Sequence, residues 1–251
     1  MALSALTICV PVYNEESCLE QFCKIMDAFL EQCPVPVSVL FVNDGSSDGS
    51  LEEIKRLCRG KKAYGFLSLD RRYGLSTVIK AGIDHTETPY MGYIDSDLQT
   101  SPVDFLSFFQ FFPEYQMVTG IRRNRSDSFI KNMSSRIANH IRRRLIQDGI
   151  EDTGCPLKIM DTRMARRIPF FDGMHRFLPA LFQMCGGKVK QIPVKHFKRY
   201  AGTSKYGLFN RVLNPLIDTF AFRWMKSRYI RYAIAESRAA MPISGKVDKE
   251  I

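Results

Sequence analysis

Long apolar runs are missing from these 251 residues. The longest apolar-rich window near the C-terminus, between Arg211 and Arg223, still holds Asn214 and Asp218 and falls short of the ~20 residues a membrane span needs. No transmembrane helix is expected. Met1 to Val10 has neither a basic start nor a long apolar core, so no secretory signal is expected and the chain is placed on the cytoplasmic side. Seven cysteines, at 9, 18, 23, 33, 58, 155 and 185, are odd in number and include no C-x-x-C pair, which fits reduced, mostly structural thiols better than zinc or disulfides. The first turn, Tyr13-Asn14-Glu15-Glu16, has no glycine, and this sets aside a G-x-G-x-x-G dinucleotide site.

Positive charge is plentiful and unevenly placed. The net charge is +10. Residues 1–120 carry 9 Lys/Arg against 16 Asp/Glu, net −7, whereas residues 121–251 carry 27 against 10, net +17. The basic half should meet something anionic: nucleic acid, a phospholipid surface or a phosphorylated substrate. A solvated basic face accounts for some of these charges but not for the split. At 45% hydrophobic residues the chain can bury a full core, with roughly one to two domains as the prior.

Leu6 to Val12 is an apolar, β-branched run that ends in a polar turn, so it predicts a strand. Leu19, Phe22, Met26 and Phe29 mark one face of the helix that follows, and Pro34 and Pro36 close it. Val37 to Val42 predicts the next strand and Asn43 to Gly49 a turn. Ser50 with Glu53 predicts a capping box for a helix running to Arg59, stopped by Gly60. Tyr64 to Leu69, a loop at Asp70–Leu75, a helix to about His85 and a strand over Tyr90–Ile94 complete the series. Four alternations with short connections imply an α/β fold with a mostly parallel sheet flanked by helices. Ligands bind such sheets at the carboxyl ends of the strands. Tyr13-Asn14-Glu15, Asp44, the Arg71–Gly74 loop and Asp95/Asp97 all fall there, and Asp44 can accept a base N–H or a ribose hydroxyl.

Asp95-Ser96-Asp97-Leu98-Gln99 ends the fourth strand. Residues i and i+2 of an extended segment point the same way, so Asp95, Asp97 and Gln99 would place three oxygens on one hard divalent cation, Mg²⁺ or Mn²⁺, leaving sites for diphosphate oxygens. A solvated Asx turn before Pro102 is the ordinary alternative. The four converging loops favour the metal and describe a nucleoside-diphosphate compound lying across the crevice.

Val10-Pro11-Val12-Tyr13-Asn14-Glu15, Val42-Asn43-Asp44-Gly45-Ser46-Ser47-Asp48-Gly49 and Asp95-Ser96-Asp97-Leu98-Gln99, in that order, resemble the inverting family 2 glycosyltransferases of the Rossmann-like GT-A fold. More narrowly they resemble the dolichol-phosphate mannosyltransferase and bacterial polyprenyl-phosphate glycosyltransferase branch. The likeness runs on through Asp152–Lys158, Met174–Leu181 and Arg199–Tyr206. It implies that Pro11, Tyr13, Glu15 and Asp44 hold the nucleoside (UDP or GDP), that Asp95, Asp97 and Gln99 bind the metal, and that Arg199, Ser204 and Lys205 close over the diphosphate. It also implies a polyprenyl phosphate acceptor, for which Arg122, Lys131, Ser135 and His175 are the candidate phosphate contacts. Asp152–Lys158 departs from the T-G-x-F-R of mannosyltransferases, so mannose is not implied as the donor sugar.

A lipid phosphate is already an oxyanion and needs no strong general base. Charge on the leaving nucleotide would be met by the metal and by Arg199/Lys205, and Arg122 and Lys131 would aim the acceptor. A hydroxyl acceptor would instead need a carboxylate base, for which Asp152 is the candidate. A nucleic-acid-binding role for the basic half lacks a reading motif and leaves Asp95/Asp97 unexplained, so no nucleic acid is expected. Phe129–Asp148 and Leu208–Ile234 read as basic amphipathic helices suited to an anionic bilayer surface, an ordinary packed helix with a solvated side being the alternative for the first, and the second has Leu213, Leu216, Ile217, Phe220 and Trp224 as its apolar stripe. The expected organisation is a catalytic domain over 1–206 (nucleotide and metal half 1–120, acceptor half 121–206), membrane-surface helices over 207–238 and a disordered tail over 239–251. A membrane-protein partner or a homo-oligomer is left open.

Overall fold

The computed structural model describes residues 3–122, 144–197, 213–232 and 235–236. The predicted alternation is present: β1 (Leu6–Val12), α1 (Glu16–Gln32), β2 (Val37–Asn43), α2 (Ser50–Cys58), β3 (Tyr64–Ser68), α3 (Leu75–His85) and β4 (Tyr90–Tyr93). After it come β5 (Met117–Arg122), β6 (Lys158–Asp161), α4 (Thr162–Ala165), α5 (Leu178–Met184), β7 (Val189–Val194) and α6 (Leu213–Arg228). The seven strands form one sheet in the order β3-β2-β1-β4-β6-β5-β7. Pairing is parallel except at β6, which runs antiparallel to both β4 and β5. That sheet runs through both halves of the chain, and β5 crosses residue 120.

The chain winds outward from β1 to β3 and then returns to β4 on the other side of β1. The strand order therefore reverses at β1/β4, where diverging loops leave a crevice beyond the carboxyl ends. Both sheet faces are covered. On one face Phe22, Met26, Phe29 and Ile54 of α1 and α2 pack with Ile8, Val10 and Phe41. On the other, Val78, Ile79 and Ile83 of α3 and Leu178 and Phe182 of α5 pack with Cys9, Val42, Met91 and Met160. Burial on two faces explains the unbroken apolar run of β1.

Two sequence expectations need correction. The Ser50–Glu53 capping box does not form, because Ser50 is the first helical residue, its hydroxyl accepts the Glu15 N–H at 2.9 Å and its own N–H goes to Asp48 Oδ1 at 3.0 Å. Loop-to-loop bonding has taken the capping group. Residues 95–99 are not extended either: β4 ends at Tyr93, and Leu98 turns the chain at φ +61°. Of the predicted Phe129–Asp148 helix, the described end at 144–146 is helical and Gln147, at φ +54°, terminates it. Its remainder and the 239–251 tail lie outside the described residues.

Candidate active site

Three loops at the carboxyl ends of β1, β2 and β3 are stitched into one wall. Asn14 donates its backbone N–H to Ser46 Oγ at 3.0 Å and accepts the Ser47 N–H on Oδ1 at 2.8 Å. Gly45 sits at φ +59°, and a Cβ there would lie 2.3 Å from the Arg71 carbonyl carbon, so the β2 and β3 loops meet backbone to backbone. Asp44, expected to face the nucleoside, accepts the Tyr73 N–H at 2.7 Å and the Gly74 N–H at 2.9 Å. Its buried carboxylate thus fastens the β3–α3 loop at the start of α3. The same fastening carries the Arg72 guanidinium over the Tyr13 ring, 4.2 Å from the centroid. Pro11 is also tied in, its carbonyl accepting Ser96 Oγ at 3.3 Å, and Glu15 N–H bonds Ser50 as described.

The acidic centre lies just beyond β4. Tyr93 donates its hydroxyl to Asp95 Oδ1 at 2.8 Å, and Asp97 Oδ1 accepts the Gln99 N–H at 3.1 Å. Burial, and then the neighbouring Asp97 charge, push the Asp95 carboxyl up to about 6, against the pull of Tyr93, Lys158 and Arg122. Lys158, across from Tyr93 in the β4/β6 register, is 1% exposed. Its ammonium donates to the Cys155 carbonyl and stands 5.8 Å from the Tyr93 ring centroid, and burial lowers its pKa. Next to it Arg122 grips Asp152 bidentately, Nε to Oδ2 and Nη2 to Oδ1, both at 2.8 Å. Burial works against the guanidinium charge, but the Asp152 partnership outweighs it and raises the Arg122 pKa.

Among the described residues no three His, Cys, Asp or Glu side chains form a ready cage. Two carboxylates that repel each other, one of them raised in pKa, do fit a single hard cation that takes its remaining oxygens from a diphosphate. Gln99 cannot be assigned by strand alternation, since the turn at Leu98 intervenes. Its backbone carbonyl accepts the Phe197 N–H at 2.9 Å, so the chain leading to Arg199 departs from beside the Asp97 turn. Arg199, Ser204, Lys205, Lys131 and Ser135 lie outside the described residues.

Two candidates have side-chain partners that the sequence does not show. Asp152 is engaged by Arg122 as its counter-ion rather than standing as a base. His175 has its Nδ1 2.9 Å from Ser76 Oγ, which accepts the Gly173 N–H at 3.0 Å. Burial and the nearby Arg176 and Lys158 push its pKa down to about 3, so His175 is neutral at pH 7. Lys158, Arg72, Ser76 and Tyr93 were missed as site residues. Arg72 lay in the Arg71–Gly74 loop already placed at the carboxyl ends, and Lys158 left a signal as a lone basic residue in the apolar run Leu157–Met160.

A family model described as glycosyl transferase family 2 matches residues 7–171. The undecaprenyl-phosphate 4-deoxy-4-formamido-L-arabinose transferase of Edwardsiella ictaluri is 29% identical over 216 residues, covering 85% of this chain and 66% of that protein. The dodecaprenyl-phosphate galacturonate synthase of Rhizobium johnstonii is 29% identical over 231 residues, covering 89% and 68%. The chain thus spans about two-thirds of the length of these relatives. Among solved structures, glucosyl-3-phosphoglycerate synthase from Mycobacterium tuberculosis, in complex with Mn²⁺, UDP-glucose and phosphoglyceric acid, superposes with a TM-score of 0.68 at 14% identity, over 87% of this chain and 80% of that one. Mannosyl-3-phosphoglycerate synthase from Rubrobacter xylanophilus gives 0.67 at 13%, over 95% and 79%. At those identities the likeness is one of fold, the GT-A sheet, while the family match spans the stitched loops, the acidic turn and the Arg122–Asp152 pair. The chain belongs to glycosyl transferase family 2.

Proposed function

We propose that the chain transfers a sugar from a nucleoside-diphosphate sugar, UDP- or GDP-linked, to a polyprenyl phosphate, with inversion at the anomeric carbon. The observation that carries this reading is the charge array at the sheet's switch point, in which Asp95, beside Asp97, feels the charges of Lys158 and of Arg122, itself paired with Asp152. The names of the polyprenyl-phosphate relatives support the acceptor.

Tyr13, Pro11, Glu15 and the loop fastened by Asp44 hold the nucleoside. Asp95 and Asp97, with Gln99 as the third candidate, would hold Mg²⁺ or Mn²⁺, which supplies charge stabilisation on the diphosphate. Arg199, Ser204 and Lys205 close over that diphosphate. Arg122, kept in place by Asp152, orients the acceptor phosphate together with Lys131 and Ser135, and a neutral His175 brings no positive charge to it. An acceptor phosphate oxygen attacks the anomeric carbon, and the bond from that carbon to the diphosphate breaks. Its electron pair leaves with the nucleotide, and the product is a polyprenyl-monophosphate sugar. No proton has to be removed from the nucleophile, in keeping with a site in which His175 is neutral and Asp152 is ion-paired. The acceptor places the enzyme peripherally at a membrane surface.

The test is incubation of purified protein and Mg²⁺ or Mn²⁺ with UDP- and GDP-sugars, with and without polyprenyl phosphate, following nucleotide release and glycolipid mass. One donor should yield glycolipid, and Asp97→Ala should lower turnover by about 10²-fold or more. Donor binding with no lipid product in any combination would remove the acceptor, and wild-type turnover by Asp97→Ala would remove the metal assignment.

A further inference from the structure

Helix α6 has two apolar faces, and the fold uses only one of them. Thr219 and Phe222 are 2% and 1% exposed, and the Phe222 ring stacks on Phe177 at 5.5 Å and 17°. Met225 and Tyr229 pack on the same core. Ile217, Phe220 and Trp224, at helical spacing on the other side, are 65%, 59% and 67% exposed. Ile230 and Tyr232 follow at 81% and 83%. Five of the nine large hydrophobic residues exposed among the described residues therefore lie within 217–232. Scattered surface hydrophobics need no explanation, but a concentration of this kind marks an interaction surface.

We propose that α6 seats the chain on the surface of an anionic phospholipid bilayer, with Ile217, Phe220 and Trp224 inserted at the headgroup boundary. The helix lies on the bilayer rather than crossing it. Its 16 residues include Asp218, Arg223, Lys226 and Arg228, and no described helix is long and apolar enough to span. Charge selects the occupant. Residues 217–232 carry Asp218 against Arg223, Lys226, Arg228 and Arg231, within a half of the chain that is net +17. Lys226 and Arg231 donate to the carbonyls of Ile146 and Met184, so the cations both flank the stripe and hold the helix against the catalytic domain. An exposed apolar stripe beside fixed cations suits acidic headgroups over acyl chains.

The seat is coupled to the crevice. Asp218 pairs with Arg176 at 3.8 Å, and Gly173, at φ +86°, allows α6 this approach, since a Cβ there would lie 2.6 Å from Asp218 Oδ2. The same short loop bonds Ser76 at the start of α3 through Gly173 and His175. A single turn of chain thus joins the membrane-facing helix to the rim of the site. The choice of a bilayer rests on the proposed function, whose acceptor is a bilayer lipid.

Trp224 is the only tryptophan in the chain, so its fluorescence reports the seat directly. Adding the 251-residue chain to phosphatidylcholine/phosphatidylglycerol vesicles should shift the Trp224 emission to the blue and carry the protein into the vesicle pellet, more weakly with phosphatidylcholine alone. The variant Ile217→Ser/Phe220→Ser, which retains Trp224, should lose vesicle partition by about 10-fold or more while keeping its circular dichroism and its affinity for the nucleotide-sugar. Absence of both blue shift and co-sedimentation overturns the proposal. So does a blue shift without vesicles that grows with protein concentration, which would assign the stripe to a second copy or a protein partner. If vesicles bind but no donor gives glycolipid, the proposed function fails and the seat stands.

Discussion

Gly45 shows how much of the nucleotide wall depends on one missing side chain. The β2 and β3 loops touch through backbone at this position, and φ is +59°. Gly45→Ala should destabilise the protein by about 3 kcal/mol, combining the left-handed conformation with a backbone clash. Donor affinity should fall with it, because Arg72 and Tyr13 lose their common support. Thermal unfolding and calorimetric titration with UDP- and GDP-sugars measure the two effects, and an unchanged melting temperature would contradict the close approach. Asp44 belongs to the same wall. Its residue type and loop position were legible in the sequence, but the two backbone N–H groups of Tyr73 and Gly74 that its carboxylate accepts are brought to it only by the folded β3–α3 loop.

At the scale of elements, α6 is the instructive case. Its apolar periodicity marks a stripe through Ile217, Phe220 and Trp224, yet the core takes the opposite face, built on Thr219 and Phe222. Phe222→Ala should remove the stack on Phe177 and cost about 3 kcal/mol. Hydrogen exchange should then speed up in α6 while the amides of β1 and β2 keep their protection. Uniform acceleration throughout the sheet would mean that α6 is not a separable layer. Strand β6 gives the complementary lesson. Four residues that open on a buried lysine carry no signal of direction, and antiparallel placement between β4 and β5 follows from how the returning chain meets the sheet.

Across the whole molecule, pH acts through a group kept neutral by its surroundings. His175 titrates at about 3 in the folded protein against 6.5 for an ordinary histidine. A histidine with a depressed folded pKa costs nothing above pH 6.5 and destabilises progressively as the pH falls, because only the unfolded chain takes up the proton. At about pH 5 this amounts to about 2 kcal/mol. His175→Gln should therefore reduce the loss of thermal stability between pH 7 and 5, measured by circular dichroism, and equal losses in the two proteins would refute the buried neutral state. The acidic and basic halves of the chain, net −7 over residues 1–120 and +17 over 121–251, are another whole-molecule property.

The sequence by itself determined the α/β alternation and the carboxyl-end loops, because strand and helix periods, proline stops and polar turns are local properties. It also determined the acidic pair Asp95/Asp97 and the charge asymmetry, which need no coordinates. Tertiary structure alone decided that Asp152 is held by Arg122, that Lys158 is buried beneath Tyr93, that Ser50 serves Glu15 rather than its own helix, and that α6 presents Trp224 outward. Each of these depends on which distant segment arrives within hydrogen-bond or van der Waals reach. That is set by the packing of the sheet and its layers, and local sequence carries no record of it.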